Sequence, residues 1–354
     1  MRLETRIKAF TAVGNFLKEH ITQFSEENNN ESALTPEHKK LAEAIEVSLQ
    51  HNGWFTKENI YFALNQWSQA LTKEKLENWT AAYTFPTSQK TVAIIMAGNI
   101  PLVGFHDFLS VLLSGNKALV KMSSNDKFLL PALAEILIKY NKDFENLIAF
   151  EKEQLKNFDA VIATGSNNTA RYFDYYFRKK PAIIRKNRNA VAILTGKETT
   201  QQLKALAEDI FRYYGLGCRN VSKLFVPKNY DFSVFFEAIY DWHPIINHHK
   251  YANNYDYNKA VYLMSNIKLL DNNFLVLKED TSYSSPIACL FYEYYNNEEE
   301  LSVKLKNDEK KLQCIVSSSS KHVDFGESQH PALTDYADGV DTLHFLSNLR
   351  YEKA

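Results

Sequence analysis

The N-terminal part of the chain has apolar side chains at helical spacing. The segment RIKAFTAVGNFLKEHI predicts a helix because its apolar residues recur every three or four positions. These residues are Ile7, Phe10, Val13, Phe16 and Leu17. Thr35 and Pro36 indicate the start of a second helix over about residues 37–50, and a third is predicted over about residues 57–70. The polar segment SEENNNESA before Thr35 is predicted to be a solvated loop.

From Thr91 to about residue 195 the pattern alternates between strands and helices. TVAIIMAGN is a continuous apolar run, which is typical of a strand buried on both faces. The following strands are predicted at NKALVKMS, LIAFEK and DAVIATGS, and the helices at PLVGFHDFLSVLLSG, DKFLLPALAEILIKYN and NTARYFDYYFRK. This alternation predicts a doubly wound parallel sheet, in which ligands bind beyond the carboxyl ends of the strands. Three strand ends carry polar candidates: AGNIP, KMSSND and TGSNNT.

The remainder of the chain has a mixed pattern. AVAIL and KLFVP are predicted strands on either side of TTQQLKALAEDIFRYYG, a helix capped at Thr199 or Thr200. AVYLMS, FLVLKED, IACLFYEYY and QCIVSSS are predicted strands, with a charged helix, NNEEELSVKLKND, between the last two. The end, HPALTDYADGVDTLHFLSNLRYEKA, is predicted to be turn-rich with a final amphipathic segment.

Composition narrows the functional classes. The chain has 354 residues, a length that favours about two domains. With 45% hydrophobic and 23% charged residues, its composition is typical of a globular protein. The formal net charge of -1 argues against a general electrostatic interaction with nucleic acid or an anionic membrane. No window approaches the ~18 uninterrupted apolar residues of a membrane span. Charges in MRLETRIKAF occupy the place of a signal-peptide core, so we expect a cytoplasmic protein.

The three cysteines differ in their surroundings. Cys289 and Cys314 lie in apolar runs, which favours buried structural thiols. Cys218, in RYYGLGCRNVSKLFVP, follows a glycine at a helix–strand junction and is the candidate nucleophile. A free thiol titrates near ~8.5, so Arg219 would supply the positive potential that favours a thiolate. No cysteine or histidine spacing indicates a metal site or a disulfide framework, and the pair His248-His249 is predicted to lie in a polar loop.

Five motifs in a fixed order resemble the aldehyde dehydrogenase superfamily over residues 90–320. They are AIIMAGNIP, LSGNKALVKMSSND, VIATGSNNTARYF, GLGCRNVSKLFVP and SPIACLFYE. AGNIP and HPALTDYADGVDTLHFL more closely resemble the acyl-CoA reductases related to the bioluminescence fatty-acid reductase. The resemblance implies an α/β protein with N-terminal helices and a Rossmann-type doubly wound nucleotide-binding domain over residues 1–188. It further implies an α/β catalytic domain over 189–320 and a C-terminal segment, 321–354, that returns to the first domain.

The resemblance implies a thioester reductase. Its substrate would be a fatty acyl group on coenzyme A or on a protein, and NADPH, or alternatively NADH, would reduce it to a fatty aldehyde. Cys218 would attack the thioester and release coenzyme A, which leaves an acyl-enzyme. The backbone N–H of Cys218 and the side-chain amide of Asn99 would stabilise the oxyanion.

The resemblance also implies the cofactor-binding residues. Lys121 matches a lysine that contacts the adenosine ribose, and a strand-end lysine in solvent is the alternative. Ser123 and the serine after it stand in place of a proline–serine pair and could accept a 2′-phosphate. Gly165 and Ser166 match residues that face the pyrophosphate, with an ordinary turn as the alternative. Pro286 matches a proline beside the nicotinamide ribose.

Two departures from the oxidising members of the superfamily bear on the reaction. The segment IIRKNRNAV replaces the motif with the glutamate that activates water, and it contains no carboxylate. Without that base an acyl-enzyme is less exposed to hydrolysis, which suits a reductase. A second glutamate, which holds the nicotinamide ribose, is absent around Ser282. His106, on the helix after Asn99, is either an acid for the leaving thiolate or a packing residue, and packing is favoured.

Other functions stay open at this point. An acyl-phosphate reductase or an aldehyde-oxidising dehydrogenase would share the fold, and a non-catalytic scaffold would keep it without the reaction. Tyrosine-rich stretches such as YFDYYF are more typical of core and interface than of a nucleic-acid platform, because no basic face accompanies them. A homo-oligomer is left open, and family analogy alone suggests a partner protein that transfers the acyl group. The acyl chain length is left open.

Overall fold

The computed structural model describes residues 1–25 and 35–349. It divides into two compact units. One comprises Met1–Lys186 with the described residues from Ala332 onward, and the other comprises Asn187–Pro331. The predicted domain boundaries after residues 188 and 320, and the roles given to the domains, stay predictions. Most of the predicted loop SEENNNESA and the last five residues lie outside the described residues.

Four helices begin the first unit. They are α1 (Leu3–Ser25), α2 (Pro36–His51), α3 (Lys57–Ala70) and α4 (Lys73–Thr80). The five apolar residues that predicted α1 are all buried, so the helical spacing correctly identified its inner face. Thr35 caps α2 by accepting the N–H of His38, and Pro36 opens the helix, as predicted. The helix α4 is short and mostly polar, and it was not predicted from the sequence.

A five-stranded parallel sheet in the order β3–β2–β1–β4–β5 forms the centre of the first unit. Its strands are β1 (Thr91–Ile95), β2 (Lys117–Lys121), β3 (Ile148–Phe150), β4 (Ala160–Thr164) and β5 (Ala182–Arg185). The helices are α5 (Phe105–Leu113), α6 (Leu129–Tyr140), α7 (Asn167–Tyr176) and the 3-10 helix Lys142–Asn146. Val92 and Ile94 pack into the main core and Ala93 into a smaller cluster, so β1 is buried on both faces as predicted. The predicted strands and helices are confirmed, and β5 is an additional edge strand.

The second unit contains a six-stranded sheet in the order β11–β6–β7–β10–β9–β8. Its strands are β6 (Asn189–Ile193), β7 (Val221–Pro227), β8 (Leu270–Asp271), β9 (Val276–Glu279), β10 (Cys289–Tyr295) and β11 (Leu312–Val316). All neighbours are parallel except β8, which is antiparallel to β9.

The sheet of the second unit is accompanied by four α-helices and three 3-10 helices. The α-helices are α8 (Thr200–Phe211), α9 (Phe232–Ala238), α10 (His249–Met264) and α11 (Glu298–Asn307). The 3-10 helices are Arg212–Gly215, Tyr240–Asn247 and Glu309–Lys311. The predicted cap of α8 is confirmed at Thr199, which forms a capping box with Gln202. Back in the first unit, the 3-10 helix Ala337–Gly339 precedes α12 (Thr342–Ser347), which packs against α5.

Three predictions in the second unit are wrong. AVYLMS is the end of α10 and not a strand, and its Met264 is exposed, so the apolar run does not mark a buried strand. His248 is the single residue between the 3-10 helix Tyr240–Asn247 and α10, which it caps by accepting the N–H of Tyr251, and His249 is the first residue of α10, so the pair does not form the predicted polar loop. Cys289 is buried as predicted, but Cys314 is only half-buried in the edge strand β11.

Candidate functional site

The loop after β1 carries Asn99, whose side chain is exposed. This loop is held at both ends. The N–H of Met96 donates to the carbonyl of Lys121 at 3.1 Å, which extends the pairing of β1 with β2 by one residue. The N–H of Leu102, a residue with φ of 56°, donates to Oδ2 of the buried Asp126 at 2.8 Å. Asp126 therefore fixes the loop that presents Asn99. Asp126 was not identified from the sequence.

The loops after β1 and β2 are in direct contact. A Cβ atom at Gly98 would lie 2.5 Å from Oγ of Ser123, so only glycine allows this approach. The hydroxyl of Ser123 accepts the N–H of Asn125 at 3.2 Å. Lys121, at the end of β2, donates from Nζ to the carbonyl of Glu153 at 2.7 Å. Two of the predicted cofactor-binding residues thus lie at the same end of β2, beside the loop of Asn99.

The loop after β4 presents the beginning of α7. Ser166 caps this helix by accepting the N–H of Thr169 at 3.2 Å. A Cβ atom at Gly165 would lie 3.0 Å from Cβ of Thr169 and 3.1 Å from Phe173, so the strand–helix turn is tight. The first N–H groups of α7 and its positive end suit an anionic group. Because β1 lies between β2 and β4, the loops after all three strands lie along one edge of the sheet.

Cys218 is exposed in the turn between α8 and β7 of the second unit. The chain leaves α8 through three successive residues with positive φ: Tyr213 at 55°, Tyr214 at 59° and Gly215 at 76°. The two tyrosines pay a steric cost in this region of about 1–2 kcal/mol each. Such a conformation persists only where surrounding contacts determine it, as they often do at functional sites.

Buried Asn220 supplies several of these contacts. Its Oδ1 accepts the N–H of Gly217 at 2.8 Å. Its Nδ2 donates to the carbonyls of Asp209 at 3.1 Å and Arg212 at 2.7 Å, which lie at the end of α8. The side chain therefore closes the turn around Cys218 and satisfies carbonyls that the helix end leaves open. The motif Cys-Arg-Asn contained this residue, but its role depends on the turn geometry.

A second set of contacts involves the residue after the cysteine. Nε of Arg219 donates to the carbonyl of Ser328 at 2.7 Å. The carboxylate of Asp209 accepts the N–H groups of Gly326 at 2.7 Å and of Ser328 at 2.9 Å. Burial raises the pKa of Asp209 to about 6. Asp209 thus anchors the segment that holds Arg219, and the supply of positive potential by Arg219 to the thiol stays a prediction.

Pro286 lines a small cavity of about 30 Å³ in the second unit. Tyr214 and Gly215, from the turn that leads to Cys218, line the same cavity. The carbonyl of Pro286 accepts the N–H of Cys289 at 3.0 Å, so the proline is fixed at the start of β10. The structure therefore brings Pro286 close to the turn of Cys218.

His106 and Arg185 are both occupied by structural contacts in the first unit. His106 Nε2 lies 2.9 Å from the carbonyl of Leu333, and its ring packs on Trp79 with centroids 5.1 Å apart. Burial lowers the pKa of His106, which favours the packing interpretation. Arg185, in the segment IIRKNRNAV, forms a buried ion pair with Asp107. The Asp107 carboxylate that pairs with Arg185 of this segment is thus buried, which makes it a poor base for water.

The described residues contain neither a candidate metal site nor a candidate membrane-spanning helix. No group of three or more histidine, cysteine or acidic side chains in this part of the chain could hold a metal ion. None of the described helices is both long and apolar enough to cross a membrane.

Comparisons with known proteins agree with this architecture. The family model Acyl-CoA reductase (LuxC) matches residues 12–234, which is more than half of the chain. No curated protein matches the chain in sequence.

Solved structures of aldehyde dehydrogenases share the fold. Aldehyde dehydrogenase 21 from Physcomitrella patens, in complex with succinate, is 12% identical with a TM-score of 0.68 over 99% of this chain and 84% of its own. A second similar structure is that of a mutant P. syringae indole-3-acetaldehyde dehydrogenase (AldA) in complex with NAD+ and IAA. It is 13% identical, with a TM-score of 0.65 over 90% of this chain and 72% of its own. An E. coli NADP-dependent enzyme is 12% identical, with a TM-score of 0.61 over 90% of this chain and 73% of its own. These matches confirm the predicted α/β aldehyde-dehydrogenase-like fold.

Proposed function

The chain belongs to the acyl-CoA reductase (LuxC) family, and we propose that it reduces a fatty acyl thioester to an aldehyde through an acyl group carried on Cys218. The observation that carries this proposal is the exposed thiol between two anchored neighbours. The N–H of Gly217 is held by Asn220, and the guanidinium of Arg219 is held by Ser328. A buried structural cysteine would need neither exposure nor such a brace.

In the proposed reaction, the thiolate of Cys218 is first the nucleophile and later the leaving group. It attacks the thioester carbon, forms a new C–S bond and expels coenzyme A as a thiolate, which leaves the acyl group on the enzyme. The nicotinamide cofactor, when bound, supplies a hydride to the acyl carbon. The resulting hemithioacetal oxyanion collapses, the C–S bond breaks, and the aldehyde and the Cys218 thiolate are released. The backbone N–H of Cys218 and the amide of Asn99 are the proposed donors to the oxyanion.

The proposed cofactor-binding residues are Lys121, Ser123, Gly165, Ser166 and Pro286. Support comes from the loop edge of the five-stranded sheet: Lys121 is the last residue of β2, and the next three follow β2 or β4. Ser166 opens α7, whose N-terminal N–H groups suit a pyrophosphate. We propose NADPH over NADH because the hydroxyl of Ser123 suits a 2′-phosphate. The similar structures include one with NAD+ and one described as NADP-dependent, so both cofactors belong in the test.

The test is a panel of acyl-CoA chain lengths with NADPH and with NADH, followed by the loss of absorbance of the reduced nicotinamide. Cys218→Ala should lower acyl-CoA-dependent oxidation by at least about a thousandfold, because it removes the covalent step. Cys314→Ala, at a half-buried thiol, is the matched control and should retain turnover. Undiminished turnover of Cys218→Ala would refute the mechanism.

Product analysis tests the direction of the chemistry. Aldehyde should accumulate from acyl-CoA with little free acid, because the segment IIRKNRNAV contains no carboxylate of its own that could activate water. Free acid as the main product would indicate a hydrolysing enzyme instead. Acyl phosphate, supplied in place of acyl-CoA, tests the alternative donor. Acyl delivery by a partner protein, self-association and a cytoplasmic location stay predictions.

A further inference from the structure

A second cavity lies at the opposite edge of the five-stranded sheet from the proposed cofactor loops. Its volume is about 180 Å³. Gln89, Gly115 and Leu147, which line it, come just before β1, β2 and β3. The proposed cofactor residues of this unit instead follow the carboxyl ends of strands. The cavity, which we call the Arg6 cavity after its charged lining residue, is therefore separate from the proposed cofactor site.

Arg6 is a buried cation that forms no ion pair with any described residue. It is 6% exposed, and its Nε atom is buried without a hydrogen-bond partner. Within the described ranges no ion pair or side-chain hydrogen bond involves its guanidinium, and its nearest aromatic contact is the ring of Phe85, 5.9 Å from Cζ. Burial lowers the pKa of Arg6 to about 10, so the group still carries its charge at neutral pH. A desolvated charge without a partner is unfavourable, and an anion in the cavity would relieve it.

The backbone is shaped to accommodate the guanidinium. Gly115 has φ of 88°, and a Cβ atom there would lie 2.0 Å from Nη1 of Arg6. The side-chain amide of Gln89 donates to the carbonyl of Gly115 at 3.1 Å, which holds that turn in place. The guanidinium therefore lies against a fixed backbone and lines the cavity, where it presents donors in a planar fork.

We propose that the Arg6 cavity binds a small aliphatic monocarboxylate. The planar fork of a guanidinium matches the two oxygens of a carboxylate. The cavity far exceeds the ~10–15 Å³ that one water molecule needs, so it has room for a short alkyl chain beside the carboxylate. Leu147 and Met1 provide apolar lining for that chain. Asp143 also lines the cavity, and its negative charge opposes a phosphate dianion more strongly than a monoanion.

The test measures binding of acetate and butyrate to the full chain by calorimetric titration, with inorganic phosphate in parallel and chloride used to hold the ionic strength constant. Butyrate should bind more tightly than acetate, and phosphate more weakly than either. Arg6→Gln should weaken butyrate binding by at least about tenfold, because it removes a charge-assisted bidentate contact. Arg2→Gln, at an exposed arginine near the start of the same helix, is the matched control and should bind as the unaltered protein does.

A second variant keeps the proposal testable if Arg6→Gln does not fold. Asp143→Asn, at an exposed position, should strengthen butyrate binding because it removes the opposing charge. Acyl-CoA reduction by Arg6→Gln should equal that of the unaltered enzyme, which separates this site from the proposed reaction. The absence of carboxylate binding, tighter binding of phosphate, or equal butyrate binding by Arg6→Gln would each overturn the proposal.

Discussion

A buried aspartate supports the Asn99 loop in the first unit, and another supports the Cys218 turn in the second. Asp126 contacts the Asn99 loop directly, through the N–H of Leu102. Asp209 supports the Cys218 turn indirectly. It accepts the N–H of Ser328, and the carbonyl of Ser328 accepts a hydrogen bond from Arg219. Burial raises the pKa of each carboxyl to about 6.

The two carboxylates differ in how well they are paired. Both oxygens of Asp209 accept backbone N–H groups. Oδ1 of Asp126, in contrast, is buried without a partner. A buried oxygen without a donor loses hydration with no compensation, whereas a fully paired carboxylate does not. Similar pKa shifts can therefore accompany different structural roles, and we expect the charge of Asp126 to be dispensable for stability and the two acceptor oxygens of Asp209 to be required.

The largest expected effect is a difference in stability when each of the two aspartates is replaced by asparagine. Asp209→Asn places an amide NH₂ against one of two backbone N–H donors, so we expect a loss of about 2 kcal/mol or more in the free energy of unfolding. Turnover should fall as well, because Ser328 would no longer hold Arg219 in place. Asp126→Asn keeps one oxygen for Leu102 and removes the charge, so its stability should be unchanged or higher. Urea unfolding of both variants at pH 7.5 provides the measurement.

An equal loss in the free energy of unfolding for Asp126→Asn and Asp209→Asn would contradict the proposed difference between the two aspartates. Asp241→Asn is the surface control, because this carboxylate is exposed and pairs with the exposed Lys204. Little change in stability is expected there.

The next effect is the dependence of stability on pH. The pKa of Asp126 is about 6 in the folded protein, above its ordinary value of 3.8. Between these values the folded state binds more protons than the unfolded state, so its stability falls as pH rises. The stability of the unaltered protein relative to Asp126→Asn should therefore fall by up to about 3 kcal/mol from pH 4 to pH 7. Unfolding at several pH values measures this difference, and an unchanging or rising difference would contradict the assigned shift.

The smallest effect compares two helix caps. Ser166 caps α7 in the first unit, and Thr199 caps α8 in the second. Each substitution by Ala should cost about 1 kcal/mol in stability. Only Ser166→Ala should raise the KM for the cofactor, by a few fold, because α7 is the proposed pyrophosphate site. Equal KM values in the two variants would leave Ser166 with a capping role alone.

Local patterns predicted most of the first unit. The apolar run at β1 and the helical spacing in α1 reflect burial of nearby residues, so they can be recognised without knowledge of the fold. The two-residue strand β8 and the exposed end of α10 could not be predicted in this way. There the apolar side chains of Val261 and Met264 are exposed, so hydrophobicity no longer reports burial.

The candidate site divides in the same way. Cys218 and the loops after β1, β2 and β4 were found because they are short motifs in a recognisable order. Asp126 and Asp209 were missed because their partners are distant in sequence: 24 residues separate Asp126 from Leu102, and 119 separate Asp209 from Ser328. A single acidic residue in an apolar segment is a weak signal until the fold shows which N–H groups it meets.

The central claim is that Cys218 carries the acyl group, and the most direct test is to trap that intermediate. The enzyme is incubated with acyl-CoA in the absence of reduced cofactor, and its mass and peptides are analysed. The account predicts one acyl group on the peptide that contains Cys218, its loss as aldehyde on addition of NADPH, and no adduct in Cys218→Ala. An acyl group on Cys289 or Cys314, or full turnover by Cys218→Ala, would contradict it.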